Sequence, residues 1–246
     1  MSAAPLHLLS AGAAKGLVEA LAPAFEADAG VRIAATFDAA GTIRDAFTGG
    51  APCDVVILPA PMQHALAAAG RVDAASIAAL GAVATGVAVA NGDPLPAIGD
   101  AHALRAALVA ATGLYCPDTV RATAGIHFDG VLRALGIHEP SQPKLHAHAN
   151  GARAMAALAA DGPRGAIGCT QVTEILCTPG VTLVGVLPPP FELTTVYSVA
   201  VSRNAADPRA AHALATRLTA PNTEALRRDA GFRRMTSIES PNSCVR

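Results

Sequence analysis

The sequence predicts an α/β protein with a mostly parallel, doubly wound sheet, and three observations carry that prediction. Short apolar runs alternate with helical stripes three times between Leu6 and Ala69, the rhythm of parallel strands joined by covering helices. Hydrophobic residues make up 52% of the chain, aromatics 3% and charged residues 15%. A core built from Ala, Val, Leu and Ile suits buried parallel strands under Ala-rich helices. The joints between strands and helices consist of Ala, Gly, Ser and Thr, small enough for backbone to approach a ligand closely. A chain of 246 residues accommodates one large or two small domains.

The first strand begins at Leu6 and runs through Ser10-Ala11-Gly12-Ala13 into a helix over Lys15 to Asp28, whose stripe is Leu17, Ala20, Leu21, Ala24 and Phe25. Gly30 stops it. Val31 to Phe37 is the second strand, and Ala39-Ala40-Gly41-Thr42 opens the second helix. Cys53 to Pro59 is a β-branched third strand, followed by a helix over Met62 to Ala69. Leu80 to Ala90 reads as a strand leaving the first lobe, and Asn91 to Pro96 as a loop.

His102 to Ala111 is a helix and Gly113 to Asp118 a strand with its exit. Thr123 caps a helix striped by Ile126, Val131, Leu132 and Leu135. Lys144 to Ala149 is a short strand, Ala152 to Ala160 an Ala-rich helix, Gly165 to Thr170 a strand, and Val181 to Leu187 another. Pro188-Pro189-Pro190 reads as a rigid segment between lobes. A strand over Thr194 to Ser202 and helices over Pro208 to Thr219 and Asn222 to Ala230 complete the order, leaving a polar tail from Arg233 expected to be loosely held.

With 18 basic and 19 acidic residues the net charge is −1, which gives no electrostatic case for nucleic acid or an acidic membrane. No apolar run reaches the roughly 18 residues a membrane span needs, so no membrane insertion is expected. Met1 to Pro5 lacks the basic and apolar regions of a signal peptide, which gives a cytoplasmic expectation for the chain as it stands, and a periplasmic one if a signal has been removed. The five cysteines are odd in number and include no CxxC pair, so no zinc site, disulfide framework or cofactor is expected. His146 and His148 share a strand face, but acids to complete a metal site are missing nearby.

The three small-residue helix starts are natural anion seats, because the first N–H groups of a helix lack internal partners and carry the positive end of its dipole. The order of these turns, with Leu21 to Glu26, Gly30 to Ile33, Phe37 to Gly41, Asp54 to Ile57 and the closing Thr219 to Phe232, resembles type II periplasmic solute-binding proteins over about residues 5–232, in particular their molybdate-binding-like branch. The resemblance implies two α/β lobes joined by two crossovers with the ligand in the cleft between them. Lobe 1 is then residues 1–84 plus 197–246, and lobe 2 residues 85–196. It also implies a small anionic ligand, and an ABC permease partner if the protein is exported.

The same resemblance assigns ligand contacts to Ser10, Ala11, Gly12 and Ala13, to Ala40, Gly41 and Thr42, and to Asp118, Arg121, Thr123, Ala124, Gly125 and Thr170, while Lys15 has the charge to pair with a ligand carboxylate. The aromatic donor that molybdate binders keep near the last of these is replaced by Cys169 or Thr170, which leaves open an oxyanion or an organic di- or tricarboxylate. The loops Ser10 to Ala13, Pro117 to His127 and Thr170 to Glu174 are also similar to the aconitate isomerase group. That similarity implies the alternative of a cytoplasmic isomerase moving a proton across an unsaturated di- or tricarboxylic acid. Glu174, His127 and Cys169 have the chemistry for such a shift. Each also has a plain structural reading: a carboxylate in a helix's first turn, a hydrogen-bonded histidine and a small core residue.

Overall fold

The computed structural model describes residues 4–235, and these divide into two compact units. One comprises the chain up to Phe37, Ile43–Val83 and the chain from Thr195; the other comprises Asp38–Thr42 and Ala84–Thr194.

In the first unit, β1 (Leu6–Ala11) passes through a 3-10 turn (Gly12–Ala14) into α1 (Lys15–Ala29). The expected stripe is the buried one: Leu17, Val18, Leu21 and Phe25 face inward, each contributing about 1.5–3 kcal/mol relative to exposure. Gly30 ends the helix at φ 67°, a left-handed turn that glycine enters without a Cβ penalty. Then follow β2 (Ile33–Asp38), α2 (Ala40–Thr48), β3 (Val55–Pro59), α3 (Ala60–Ala68) and β4 (Ala78–Ala90), which continues from the first unit into the second.

The second unit continues with α4 (Ala101–Ala110), β5 (Leu114–Pro117), α5 (Thr123–Ala134), α6 (His138–Ser141), β6 (Leu145–His148), α7 (Gly151–Asp161), β7 (Ile167–Gln171), α8 (Val172–Leu176) and β8 (Val181–Val186). The chain returns through β9 (Thr194–Val201) to α9 (Pro208–Thr219) and α10 (Glu224–Asp229). Of the tail, Arg233 pairs with Ala82, while residues 236–246, Cys244 among them, lie outside the described residues.

Strand order in the first unit is β2-β1-β3-β9. β1 and β3 run parallel, with Leu8 opposite Val55, and β9 antiparallel to β3, with Val201 opposite Val55. Asp54 is 3% exposed; its carboxylate accepts the His7 N–H at 2.7 Å and the Ala206 N–H at 2.6 Å.

The second unit orders its strands β4-β7-β5-β6, with β8 also on β4. β5, β6 and β7 are parallel and β4 runs against β7. Successive residues of a strand point to opposite faces. Leu114, Cys116, Ile167 and Cys169 therefore pack on one face with Leu104, Leu108, Phe128, Val131 and Leu132 of α4 and α5. Tyr115 packs on the other with Ala154, Met155 and Leu158 of α7.

Two local expectations are corrected. Thr123 is the first helical residue of α5, not its cap; Ala122 holds the capping position and makes no side-chain bond there. The short α6 and the 3-10 turn Gln142–Lys144 after it fall where no helix was expected, since two prolines within six residues erase any helical period.

Candidate functional site

In the first unit, the Ser10–Ala13 joint is fully buried. Ser10 is 0% exposed and donates its hydroxyl to the Ala11 carbonyl at 2.9 Å. Lys15 opens α1 half-exposed, with its ammonium 3.8 Å from Glu19 on the same helix. Such an exposed ion pair is worth about 1 kcal/mol or less.

In the second unit, the parallel strands β5, β6 and β7 bring their carboxyl ends, Pro117, His148 and Gln171, to one edge of the sheet. Antiparallel β4 brings Thr85 there, opposite Gln171. That edge is where open α/β sheets bind ligands. Three helices, α5, α7 and α8, begin along it: a side chain caps α7, and none caps α5 or the five-residue α8.

The start of α7 is closed. Asn150 caps it, accepting the Arg153 N–H at 3.0 Å and donating to Asp38 Oδ1 at 3.2 Å. The Glu174 carboxylate lies near the backbone N–H groups of Gly151 and Ala152, which favour its charged form. Glu174 accepts the Thr170 hydroxyl at 2.6 Å, with the N–H of Gln171, its own helix's capping residue, also favouring its charge. One carboxylate therefore lies beside two helix starts, and the surrounding donors favour its charged form. Its pKa is nevertheless raised, because burial outweighs the donors that favour the charged form. Gly151 is required: a Cβ there would lie 2.0 Å from Glu174 Oε2 and 2.1 Å from Thr170 Oγ1.

The start of α5 is open. Asp118 accepts the N–H groups of Val120 at 2.7 Å and Arg121 at 2.8 Å, and its carbonyl accepts that of Ala122 at 3.1 Å. This turn ends one residue short of the helix. No side chain caps Thr123, Ala124 and Gly125, whose N–H groups have no intrahelical acceptor. Gly125 lets the helix start press on the strand end, since its Cβ would lie 2.3 Å from the Asp118 carbonyl and 2.4 Å from that of Pro117. Gly41 donates its N–H to the Arg121 carbonyl at 2.9 Å, which brings Ala40, Gly41 and Thr42 beside Arg121.

The candidate proton-transfer groups separate. Cys169 is 0% exposed in the apolar core, and burial holds its thiol neutral, well above the usual pKa. Glu174 lies on α8, buried, with its Oε2 accepting the Thr170 hydroxyl. His127, in the first turns of α5, bonds the Phe191 carbonyl through Nε2 at 2.8 Å. A carbonyl only accepts, so Nε2 carries the proton and Nδ1 is left as the acceptor.

A model of the bacterial extracellular solute-binding protein family matches residues 6–233. The chain belongs to that family. The periplasmic molybdate-binding protein of Azotobacter vinelandii superposes with a TM-score of 0.76 at 16% identity, over 94% of this chain and 100% of that one. A sulfate-binding protein of Mycobacterium tuberculosis superposes at 0.72 and 18%, over 96% and 89%. At such identities the likeness carries the type II periplasmic-binding fold. An aconitate isomerase from a Pseudomonas species is 28% identical over 234 residues, 93% of this chain and 87% of that protein.

Within this solute-binding protein, three buried residues escaped the sequence analysis as site candidates: Thr85, Gln171 and Thr173, at 1%, 2% and 2% exposed. The Thr85 and Thr173 hydroxyls and both polar atoms of the Gln171 amide have no partner among the described residues. Thr85 and Gln171 are cross-strand neighbours on the α5 face, two residues along from Val87 and Cys169. The available signal was modest: Thr85 is the one polar side chain between Leu80 and Ala90. On the α7 face, Tyr115 stacks on His146 and His148, centroids 4.7 and 6.0 Å away. Among the described residues no group of three or more His, Cys, Asp and Glu could hold a metal, and no helix is long and apolar enough to cross a membrane.

Proposed function

We propose that this solute-binding protein takes a small anion at the carboxyl edge of the second unit's sheet, seated on the open start of α5. The observation that carries the reading is the contrast between the starts of the two long helices: α7 is capped by the Asn150 side chain, whereas Thr123, Ala124 and Gly125 of α5 have no side-chain cap. Arg121 stands two residues before Thr123, and the positive end of the helix dipole favours negative charge there. Asp118 shapes the turn, Gly41 steadies Arg121 through its carbonyl, and Ala40 and Thr42 flank that contact. The molybdate- and sulfate-binding neighbours fit this chemistry, and so does an organic di- or tricarboxylate. Working outside the cytoplasm, as the family's description has it, such a binder would deliver its ligand to an ABC permease.

A thermal-shift panel of molybdate, tungstate, sulfate, phosphate, citrate and cis- and trans-aconitate tests the reading. A ligand at a hundredfold over its Kd stabilises the fold by about 2.7 kcal/mol. A panel without a shift, repeated by calorimetry without heat, overturns it.

A second reading is favoured by the aconitate isomerase relative, which aligns with nearly the whole chain. There the bound acid loses a proton from an allylic carbon to a base, the double bond moves, and a proton returns at the far carbon. His127 Nδ1 is the acceptor left for that transfer, Glu174 braces the helix starts, and Cys169 fills the core. Proton NMR in D2O decides: trans-aconitate converted with deuterium incorporation supports an enzyme, and unchanged spectra from a ligand that binds exclude it.

A further inference from the structure

Gln171 holds information about the ligand that its anionic character does not. Its amide nitrogen and amide oxygen are both buried and both without partners, beside the unpartnered hydroxyl of Thr85 and two residues from that of Thr173. A buried polar atom left unmet is costly in a folded protein, and such atoms ordinarily have a partner. Molybdate or sulfate, deprotonated at neutral pH, offers acceptors alone. Such an ion could satisfy the amide nitrogen and the hydroxyls, but it would set its own oxygens against the Gln171 oxygen. A ligand completing the whole set must donate a hydrogen bond as well as accept several.

We propose that the ligand is a hydroxylated organic di- or tricarboxylate, with Gln171 the residue that reads its hydroxyl. The Gln171 oxygen accepts the ligand O–H, while its nitrogen and the Thr85 and Thr173 hydroxyls donate to carboxylate oxygens. The inference rests on the anion reading above, since Gln171 and Thr85 lie on the face of the sheet that carries α5.

Calorimetry on matched pairs separates the two claims: malate against succinate and citrate against tricarballylate, with molybdate and sulfate alongside. The hydroxylated member of a pair binds at least about tenfold tighter, because a site built to bond a hydroxyl rejects the analogue lacking it. Gln171→Leu brings the two members to within about twofold by removing the acceptor. Where that variant fails to fold, Gln171→Met, which keeps the length of the side chain and removes the amide, must narrow the preference. Equal binding of both members, a folded Gln171→Leu that keeps the preference, or binding of the inorganic oxyanions alone overturns the hydroxyl inference and leaves anion binding standing. Absence of binding by every acid and oxyanion overturns both.

Discussion

The open start of α5 makes a sharp prediction through Thr123→Pro. Proline is favoured at the first helical position, where its fixed φ suits the helix and its missing N–H is one the helix does not use. Ala122 before it sits at φ −99°, ψ 129°, inside the extended region that a residue preceding proline adopts. The substitution therefore deletes one outward-facing N–H and leaves the fold in place. If that N–H bonds a charged ligand, its loss costs about 1.5–3 kcal/mol, a tenfold to roughly hundredfold rise in Kd. Calorimetry with whichever anion the panel selects measures it, and a circular-dichroism melt of the free protein checks the fold. Thr123→Ala, which loses the hydroxyl and keeps the N–H, separates the two donors. A Thr123→Pro protein that melts like the parent and binds with parental affinity refutes the assignment of the anion to this helix start.

The glycines and one histidine supply the remaining predictions. Gly151→Ala drives a methyl into the buried Glu174–Thr170 pair and should cost about 2–3 kcal/mol, lowering the melting temperature by roughly 4–12 °C. Gly168→Ala meets the flexible ends of Met155 and Leu158 at 2.5 and 2.8 Å, so its cost in the same assay should be nearer 1 kcal/mol. Gly130, within α5, has nothing within 4 Å of an added Cβ, and Gly130→Ala should stabilise by about 0.5–1 kcal/mol in urea titration. Burial and then the neighbouring His146 lower the His148 pKa from 6.5. The folded state then binds fewer protons than the unfolded one, so this contribution is present above pH 6.5 and lost as the pH falls below it. Melts from pH 8 to pH 5 should show the parent losing stability relative to His148→Gln; parallel curves would refute the assignment.

Most of the fold was legible because its elements are long enough to show a period. The α1 stripe and the β-branched run of β3 announce themselves, and Gly30 punctuates the first helix where a left-handed residue is needed. The loops around Gly41 and Gly125 were legible as places of close backbone approach because their residues are small, and the structure uses both glycines in that way. The Gln171, Thr85 and Thr173 set was not legible. A buried, unmet polar atom is a property of three dimensions, and Thr85 acquires it from a strand that joins it only through antiparallel pairing. Glu174 was legible as an acid in a helix's first turn, but its hold on the start of α7 depends on Gly151, which no spacing within α8 reveals.

These helix starts turn the usual sequence signal around. Asn150 before Gly151 is the stronger helix-start signature, and a reader seeking an anion site by capping residues would choose α7. A good cap, however, uses an N–H group an anion needs: Asn150 takes that of Arg153, and the Glu174 carboxylate stands by those of Gly151 and Ala152. Ala122 offers α5 no side-chain acceptor, and Asp118 spends its carboxylate one turn too early, on Val120 and Arg121. The same Asp118 turn holds its acid away from the helix start, where a carboxylate would compete with the ligand for identical donors. Of the two long helices at this edge, the one to suspect is thus α5, whose first turn the protein leaves without a side-chain cap, next to polar atoms that remain unmet.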